Sequence, residues 1–281
     1  MTKHPITPAP LIEANGASIP AIGLGTWPMK GRECTRAVTS AIEQGYRHID
    51  TASMYGNEAE VGQGLRASGL DRDEIWVTTK VWWEDIADGD LQRSAARSLE
   101  HLRVEAVDLL LIHWPSPDVP VAEPIAALCD AKRQVIARNI GISNFPTRLV
   151  DQALAATTEP LICNQFEHHP ALDQTKLVAK CRENNLAVVA YCPLGKGDAL
   201  EAEAVQRIAA RHGKTPAQVV LRWQVQQPGT IAIPKSANAE RQAQNLAVFD
   251  FELSSSEMSE ISALKRPGSR AVNPAFHPDW D

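Results

Sequence analysis

Eight short apolar runs recur along this chain at intervals of roughly 30 residues, with amphipathic helical patterns between them. The runs cover residues 22–25, 48–50, 75–80, 107–113, 139–143, 161–165, 186–191 and 230–234. Stretches such as "GRECTRAVTSAIEQG", "DLQRSAARSLEHLR" and "TPAQVVLRWQVQQ" carry the helical spacing. Repeated strand–helix units of this length predict an α/β fold, and eight of them close into a (β/α)8 TIM barrel. From pattern alone a doubly wound open sheet is the rival. Asn15-Gly16 between two apolar flanks predicts a β-hairpin with a two-residue type I′ turn at about residues 10–20. The interval 191–230 holds an additional helix around "EAEAVQRIAARHG". The 281 residues are read as one barrel domain, 1–281, with a C-terminal tail from about 265 to 281.

The ends of the runs are the informative feature. They finish in Asp50, Lys80, His113, Ser143-Asn144, Gln165 and Tyr191, and the last run leads into Lys235-Ser236. In a barrel all strand C-termini open on one face, the face that carries active sites. Residues separated by nearly 200 positions would then converge on one mouth. Tyr55 follows Asp50 by five residues on the loop that leaves the second run. A phenol with a free pKa of about 10 needs help to act as an acid, and that help should be visible elsewhere in the sequence.

Composition narrows the function classes. The net charge is −6 and no basic stretch is present, which argues against a nucleic-acid partner. Apolar runs such as "VDLLLIHW" fall far short of the ~20 residues that span a bilayer. The N-terminus "MTKHPITPAP" lacks the apolar core of a signal peptide. Cys34, Cys129, Cys163, Cys181 and Cys192 are odd in number and show no C-x-x-C spacing, so reduced thiols in a cytoplasmic protein are expected. His168 and His169 in "EHHP" are adjacent, their side chains should diverge, and nothing at ligand spacing completes a metal site. No G-x-G-x-x-G follows a first strand, so no Rossmann dinucleotide site is expected.

The motifs "GLGTW", "DTASMYGNEAEVG", "TTKVW", "LLLIHWP", "GISNF", "NQFEHHP" and "IPKSANAERQAQN" occur in this order. Together they resemble the motif series of the aldo-keto reductases over nearly the whole chain. Within that family the chain is most similar to the short bacterial 2,5-diketo-D-gluconate reductases, B-type, through its "HPDWD" terminus. The resemblance implies NADPH-dependent reduction of aldehydes and ketones, with Asp50, Tyr55, Lys80 and His113 as a catalytic tetrad. Tyr55 would be the general acid. Lys80, paired with Asp50, would lower the phenol's pKa, and His113 would polarise the carbonyl. Family members that reduce steroid carbon–carbon double bonds carry Glu at the position of His113.

For the cofactor, NADPH/NADP+, the resemblance implies Tyr191 stacked on the nicotinamide. Ser143, Asn144 and Gln165 would meet its carboxamide, and Thr26, Trp27 and Asp50 would line the same area. Leu194 and Gly195 would run along the pyrophosphate; Cys192 departs from the family's common serine. Lys235, Ser236 and Arg241 would grip the 2′-phosphate, and Gln244 and Asn245 would meet the adenine. Ser236 also reads as a helix N-cap. Trp27, Trp82, His113 and Trp114 would wall the substrate pocket, with Trp83 facing elsewhere. Phe276 and Trp280 could reach over the mouth or pack outside the barrel. The implied partner is a small polar carbonyl such as a diketo sugar, methylglyoxal or a keto ester, and the implied state is a cytoplasmic monomer. Two other readings are an NADPH-binding barrel with little turnover, and a lyase using Lys80 as a Schiff-base amine.

Overall fold

The structure is a computed structural model, and it describes residues 9–281 apart from the side chains at 196 and 198. The N-terminal stretch read above for a signal peptide lies largely outside the described residues. Eight parallel strands form one sheet in chain order: β3 (Leu24–Gly25), β4 (His48–Asp50), β5 (Trp76–Val81), β6 (Val107–Ile112), β7 (Ala137–Ser143), β8 (Leu161–Glu167), β9 (Ala187–Tyr191) and β10 (Thr230–Ala232). The ends of the sheet meet. Gly23 N donates to Ala232 O (2.9 Å), Ala232 N to Ala21 O (3.1 Å) and Gly25 N to Pro234 O (3.1 Å). That closure excludes the open-sheet rival and gives the (β/α)8 barrel.

The eight runs are the eight strands, and their two-residue period explains the layers. Val77, Leu110, Ile112, Ile140, Ile142 and Phe166 alternate outward into the core shared with the helices. Leu109, Leu111, Cys163, Ala187, Val189, Ile231 and Ile233 alternate inward and fill the barrel. The hairpin β1 (Leu11–Ala14) and β2 (Ala17–Pro20) turns at Asn15 (φ 42°) and Gly16 (φ 89°), the positive-φ pair that a type I′ turn requires. Its Ala14, Ala17 and Ile19 join the inward-facing set, so the hairpin plugs the end of the barrel opposite the strand C-termini.

Helices α1 (Gly31–Glu43), α2 (Glu58–Ala67), α3 (Asp90–Leu102), α4 (Ala122–Arg133), α5 (Thr147–Ala156) and α6 (Thr175–Glu183) follow β3 to β8 in turn. After β9 come α7 (Glu203–His212), the additional helix, and α8 (Pro216–Val225); α9 (Ala239–Leu246) and α10 (Ser255–Ser262) follow β10. Among the described residues no helix is long and apolar enough to cross a membrane.

Two histidines inside this frame give a stability prediction. Burial holds His48 and His168 down at about 4, from an ordinary value of 6.5. The unfolded chain therefore takes up protons below pH 6.5 that the folded chain refuses until about pH 4. Stability should be level above pH 6.5 and fall as the pH drops from 6.5 towards 4, by on the order of 3 kcal/mol per histidine. Urea midpoints measured from pH 8 to 4.5 check this; a level profile down to pH 5 would show that these rings are not held neutral.

Candidate active site

Period two places Asp50, Lys80 and His113 at the inward, C-terminal ends of three adjacent strands. Tyr55 arrives on a single 3-10 turn, Ser53–Tyr55, closed by Gly56 at φ 56°. That turn is pinned from several sides. Ser53 Oγ donates to Lys80 O (2.9 Å), and Lys30 Nζ donates to the Tyr55 carbonyl. Buried Asn57 donates to Thr26 O (3.2 Å) and Met29 O (3.0 Å) and accepts from Thr51 Oγ1 (2.8 Å). The Asn of the "DTASMYGNE" motif therefore ties two strand-end loops together. Its neighbour Glu58 accepts from Thr79 Oγ1 at 2.5 Å, behind Lys80.

Lys80 Nζ is 2.5 Å from Asp50 Oδ1, 2.8 Å from Thr51 O and 3.4 Å from the Tyr55 hydroxyl. Gln165 Nε2 donates to the second Asp50 oxygen at 2.8 Å. The His113 ring stands edge-on to Tyr55 (5.6 Å between centroids) and to Trp82 (5.2 Å). Four groups from three strand–helix connections thus share one point.

Burial sets their charge states. It pushes the Tyr55 phenol well above its ordinary value, and the Asp50 carboxylate adds to the push. Tyr55 is half-buried and lines the cavity above this point, and its contact with Lys80 is long at 3.4 Å. Burial also lowers Lys80, opposed by its contact with Asp50. Burial, reinforced by the Lys80 charge, holds His113 well below its ordinary value, so its imidazole is neutral at pH 7. The resulting site is a protonated phenol beside a neutral imidazole, backed by a buried lysine–aspartate pair.

A cavity of about 480 Å³ opens over this point. Trp27, Trp82, Trp114 and Phe276 line it, together with Tyr191, Leu194, Gly195 and Lys235. Trp27 is half exposed, 5.1 Å from the Tyr55 ring. Thr26 is buried and donates to Asp50 O at 3.0 Å. The residues expected at the carboxamide are drawn into internal bonds. Asn144 Nδ2 donates to His113 O (2.9 Å) and Ser143 Oγ (3.2 Å), while its Oδ1 accepts from Tyr191 OH (2.8 Å). Asn144 holds φ 62°, a left-handed conformation that asparagine tolerates. Ser143 and Gln165 are buried behind the lining.

Of the two cationic candidates, Lys235 lines the cavity and Arg241 does not. Arg241, exposed, and Gln244, half-buried, lie beyond it on α9 with the buried Asn245. Ser236 is not the N-cap of α9. Asn238 holds that place, accepting from Arg241 N at 2.9 Å, and Ser236 Oγ accepts from Asn238 N at 3.1 Å just before it. A cap must sit one residue before the first helical turn, and the helix starts at Ala239.

The tail settles the question left by Phe276. Its ring stands 5.4 Å from Trp82, 4.9 Å from Trp83 and 5.7 Å from Trp114. Trp83, expected to face elsewhere, buttresses Phe276 from outside the cavity. Met54, Ile233, Pro234, Val272 and Pro274 also line the cavity and were not identified from sequence. The inward parity of Ile233, two before Lys235, could have marked it; nothing local marks Val272 or Pro274. His168 Nδ1 meets Gln224 Oε1 (2.9 Å) and His169 Nε2 meets Glu167 Oε1 (2.8 Å), so the adjacent rings serve different partners.

The sequence profile of the Aldo/keto reductase family matches residues 21–266, nearly the whole barrel. The chain belongs to the aldo-keto reductase family. This aldo-keto reductase is 41% identical over 268 residues to the methylglyoxal reductase DkgB of Escherichia coli O157:H7, covering 94% of this chain and 100% of that one. A solved structure provisionally described as a 2,5-diketo-D-gluconic acid reductase B is 43% identical, with TM-score 0.95, over 97% of this chain and 98% of that one. The Bombyx mori aldo-keto reductase solved in complex with NADP is 34% identical, with TM-score 0.86, over 92% of this chain and 94% of that one. Carbonyl reduction by an oxidoreductase is thereby the activity of the family to which this barrel belongs.

Proposed function

We propose that the chain reduces small polar aldehydes and ketones with NADPH, and that Tyr55 delivers the proton. The observation that carries this reading is the meeting of Tyr55 OH, Lys80 Nζ and Asp50 beneath an aromatic-walled cavity. The residues suit a nicotinamide dinucleotide. Tyr191 offers a ring in the lining, Leu194 and Gly195 continue it, and the exposed cations Lys235, in the lining, and Arg241, on α9, would serve a 2′-phosphate. NADPH would supply a hydride to the carbonyl carbon.

The chain's own residues would do the rest. The carbonyl oxygen would lie between Tyr55 and His113, and the neutral imidazole would donate a hydrogen bond to it. As negative charge grows on that oxygen, the Tyr55 hydroxyl gives up its proton. The raised pKa keeps the phenol loaded beforehand; the Lys80 ammonium, held by Asp50 and Thr51 O, stabilises the phenolate as it forms. Asp50 is itself fixed by Gln165. Trp27, Trp82, Trp114 and Phe276 would shed water from the reacting carbonyl. Lys80 Nζ is enclosed by its three partners, which speaks against its use as a Schiff-base amine.

Methylglyoxal, diketo sugars and short keto esters are the proposed substrates, and the proposal retains a cytoplasmic monomer with reduced thiols. None of the five cysteines forms a disulfide among the described residues. Loss of NADPH absorbance with a panel of these carbonyls tests the reading, and NADPH binding without turnover of any of them would favour a binding protein. The cofactor preference has its own test. Lys235→Gly should weaken NADPH by about 10- to 100-fold, the loss of one charge-assisted phosphate contact, and leave NADH nearly unchanged. Equal losses for both cofactors would remove Lys235 from the 2′-phosphate.

A further inference from the structure

Glu167 is the last residue of β8, two residues beyond Gln165 on the same inward face, and it is fully buried. A carboxylate in such a place is tolerated only when its oxygens are fully partnered. Glu167 Oε1 accepts from His169 Nε2 (2.8 Å) and from Ala271 N (2.6 Å), and Oε2 accepts from Val272 N (2.8 Å). The Arg270 guanidinium lies close enough to feel its charge and covers the Trp280 ring at 3.7 Å. One side chain of the barrel thus fastens two consecutive amides of the tail.

Those amides begin the segment that walls the cavity. Val272, Pro274 and Phe276 line it, and no helix or strand follows α10 to hold them in place. The far end of the tail is fixed separately, where Asp281 accepts from Thr147 N at the start of α5 (3.1 Å). Between these two anchors the wall is shaped by aromatic packing on Trp82, Trp83 and Trp114.

His169 extends the junction to a second segment of the lining. It is 1% exposed, its Nδ1 has no hydrogen-bond partner, and its ring lies against Gly195 so closely that an added Cβ would sit 2.8 Å from that nitrogen. Gly195 and Leu194 line the same cavity as Val272, Pro274 and Phe276 of the tail. The Glu167–His169 pair therefore touches two separate segments of the lining.

We propose that Glu167 and His169 are positioning residues that couple these two lining segments, so that occupancy along Leu194–Gly195 tightens the tail segment 271–276 over the carbonyl pocket. The idea rests on the reading above that the dinucleotide, bound along Leu194–Gly195, and the carbonyl share this cavity. By linkage, the effect on the two ligands is reciprocal. In the variant Glu167→Gln an NH2 group replaces one acceptor, so one tail amide meets a donor.

Amide hydrogen exchange of the peptide spanning 270–276, with and without NADP+, reads the coupling without turnover. In the unaltered protein, NADP+ should slow exchange there. In Glu167→Gln, exchange of this peptide should rise by about tenfold or more, as for a lost hydrogen bond to a charged acceptor, and the NADP+-dependent protection should vanish. KM for the carbonyl should rise by a similar factor, with kcat and the NADP+ affinity measured without carbonyl within about threefold. Unchanged exchange in the variant, or protection by NADP+ that survives it, overturns the proposal. Should Glu167→Gln not fold, His169→Phe keeps a ring against Gly195 and removes the bond to Glu167; persistence of NADP+-dependent protection in it overturns the coupling equally. Protection of the tail by NADP+ in a protein that reduces no carbonyl would sink the reductase reading and leave the coupling standing.

Discussion

Tyr55→Phe is expected to lower kcat for carbonyl reduction by about 10²- to 10⁴-fold, the usual contribution of a positioned general acid. NADPH affinity should stay within about threefold, since the hydroxyl meets Lys80 Nζ and the change removes one oxygen from a ring that remains packed between Trp27 and His113. The structure adds a pH signature. With the phenol raised above its ordinary value and His113 held neutral, the reduction rate should show no inflection near pH 6.5, where an accessible histidine would titrate. Steady-state kinetics of the variant and a pH profile of the unaltered protein measure both. A variant retaining full rate would take the proton-donor role from Tyr55, and a clear inflection at pH 6.5 would show that His113 titrates freely.

Lys80→Met is expected to destabilise the fold as well as remove activity. Lys80 and Asp50 are 0% and 2% exposed at their side chains and 2.5 Å apart, so removing the lysine strands a buried carboxylate. Breaking such a pair costs about 3–5 kcal/mol, and here Gln165 alone would still hold the Asp50 carboxylate through a side chain. The double variant Lys80→Met with Asp50→Asn should recover part of that loss, because no uncompensated charge remains. Urea unfolding of both single variants and the double variant gives the coupling. A loss below about 1 kcal/mol for Lys80→Met would mean that the pair is solvated in the way of a surface ion pair.

The functional side chains of the strands were readable because their positions follow from a local rule. Parity along each run places Asp50, Lys80, His113, Ser143, Gln165, Tyr191 and Lys235 on the inward side at the strand ends, and closing eight βα units points all of those ends the same way. The hairpin was readable for a similar reason: Asn15-Gly16 carries its backbone geometry in two residues. Ser236 against Asn238 shows the margin of such rules, because both are good caps and only the start of α9 chooses between them.

The amino-acid order by itself determined the eight strands, the inward set of strand-end polar groups and the motif series of the aldo-keto reductases, since each is written in neighbours or in a fixed period. Tertiary structure alone decided two other matters. Phe276 came to rest among three tryptophans, and Glu167 took hold of the amides of Ala271 and Val272. The reason is common to both. Packing of the tail joins groups about 100 or more residues apart in the chain, and no local period records which distant surface will cover a given side chain.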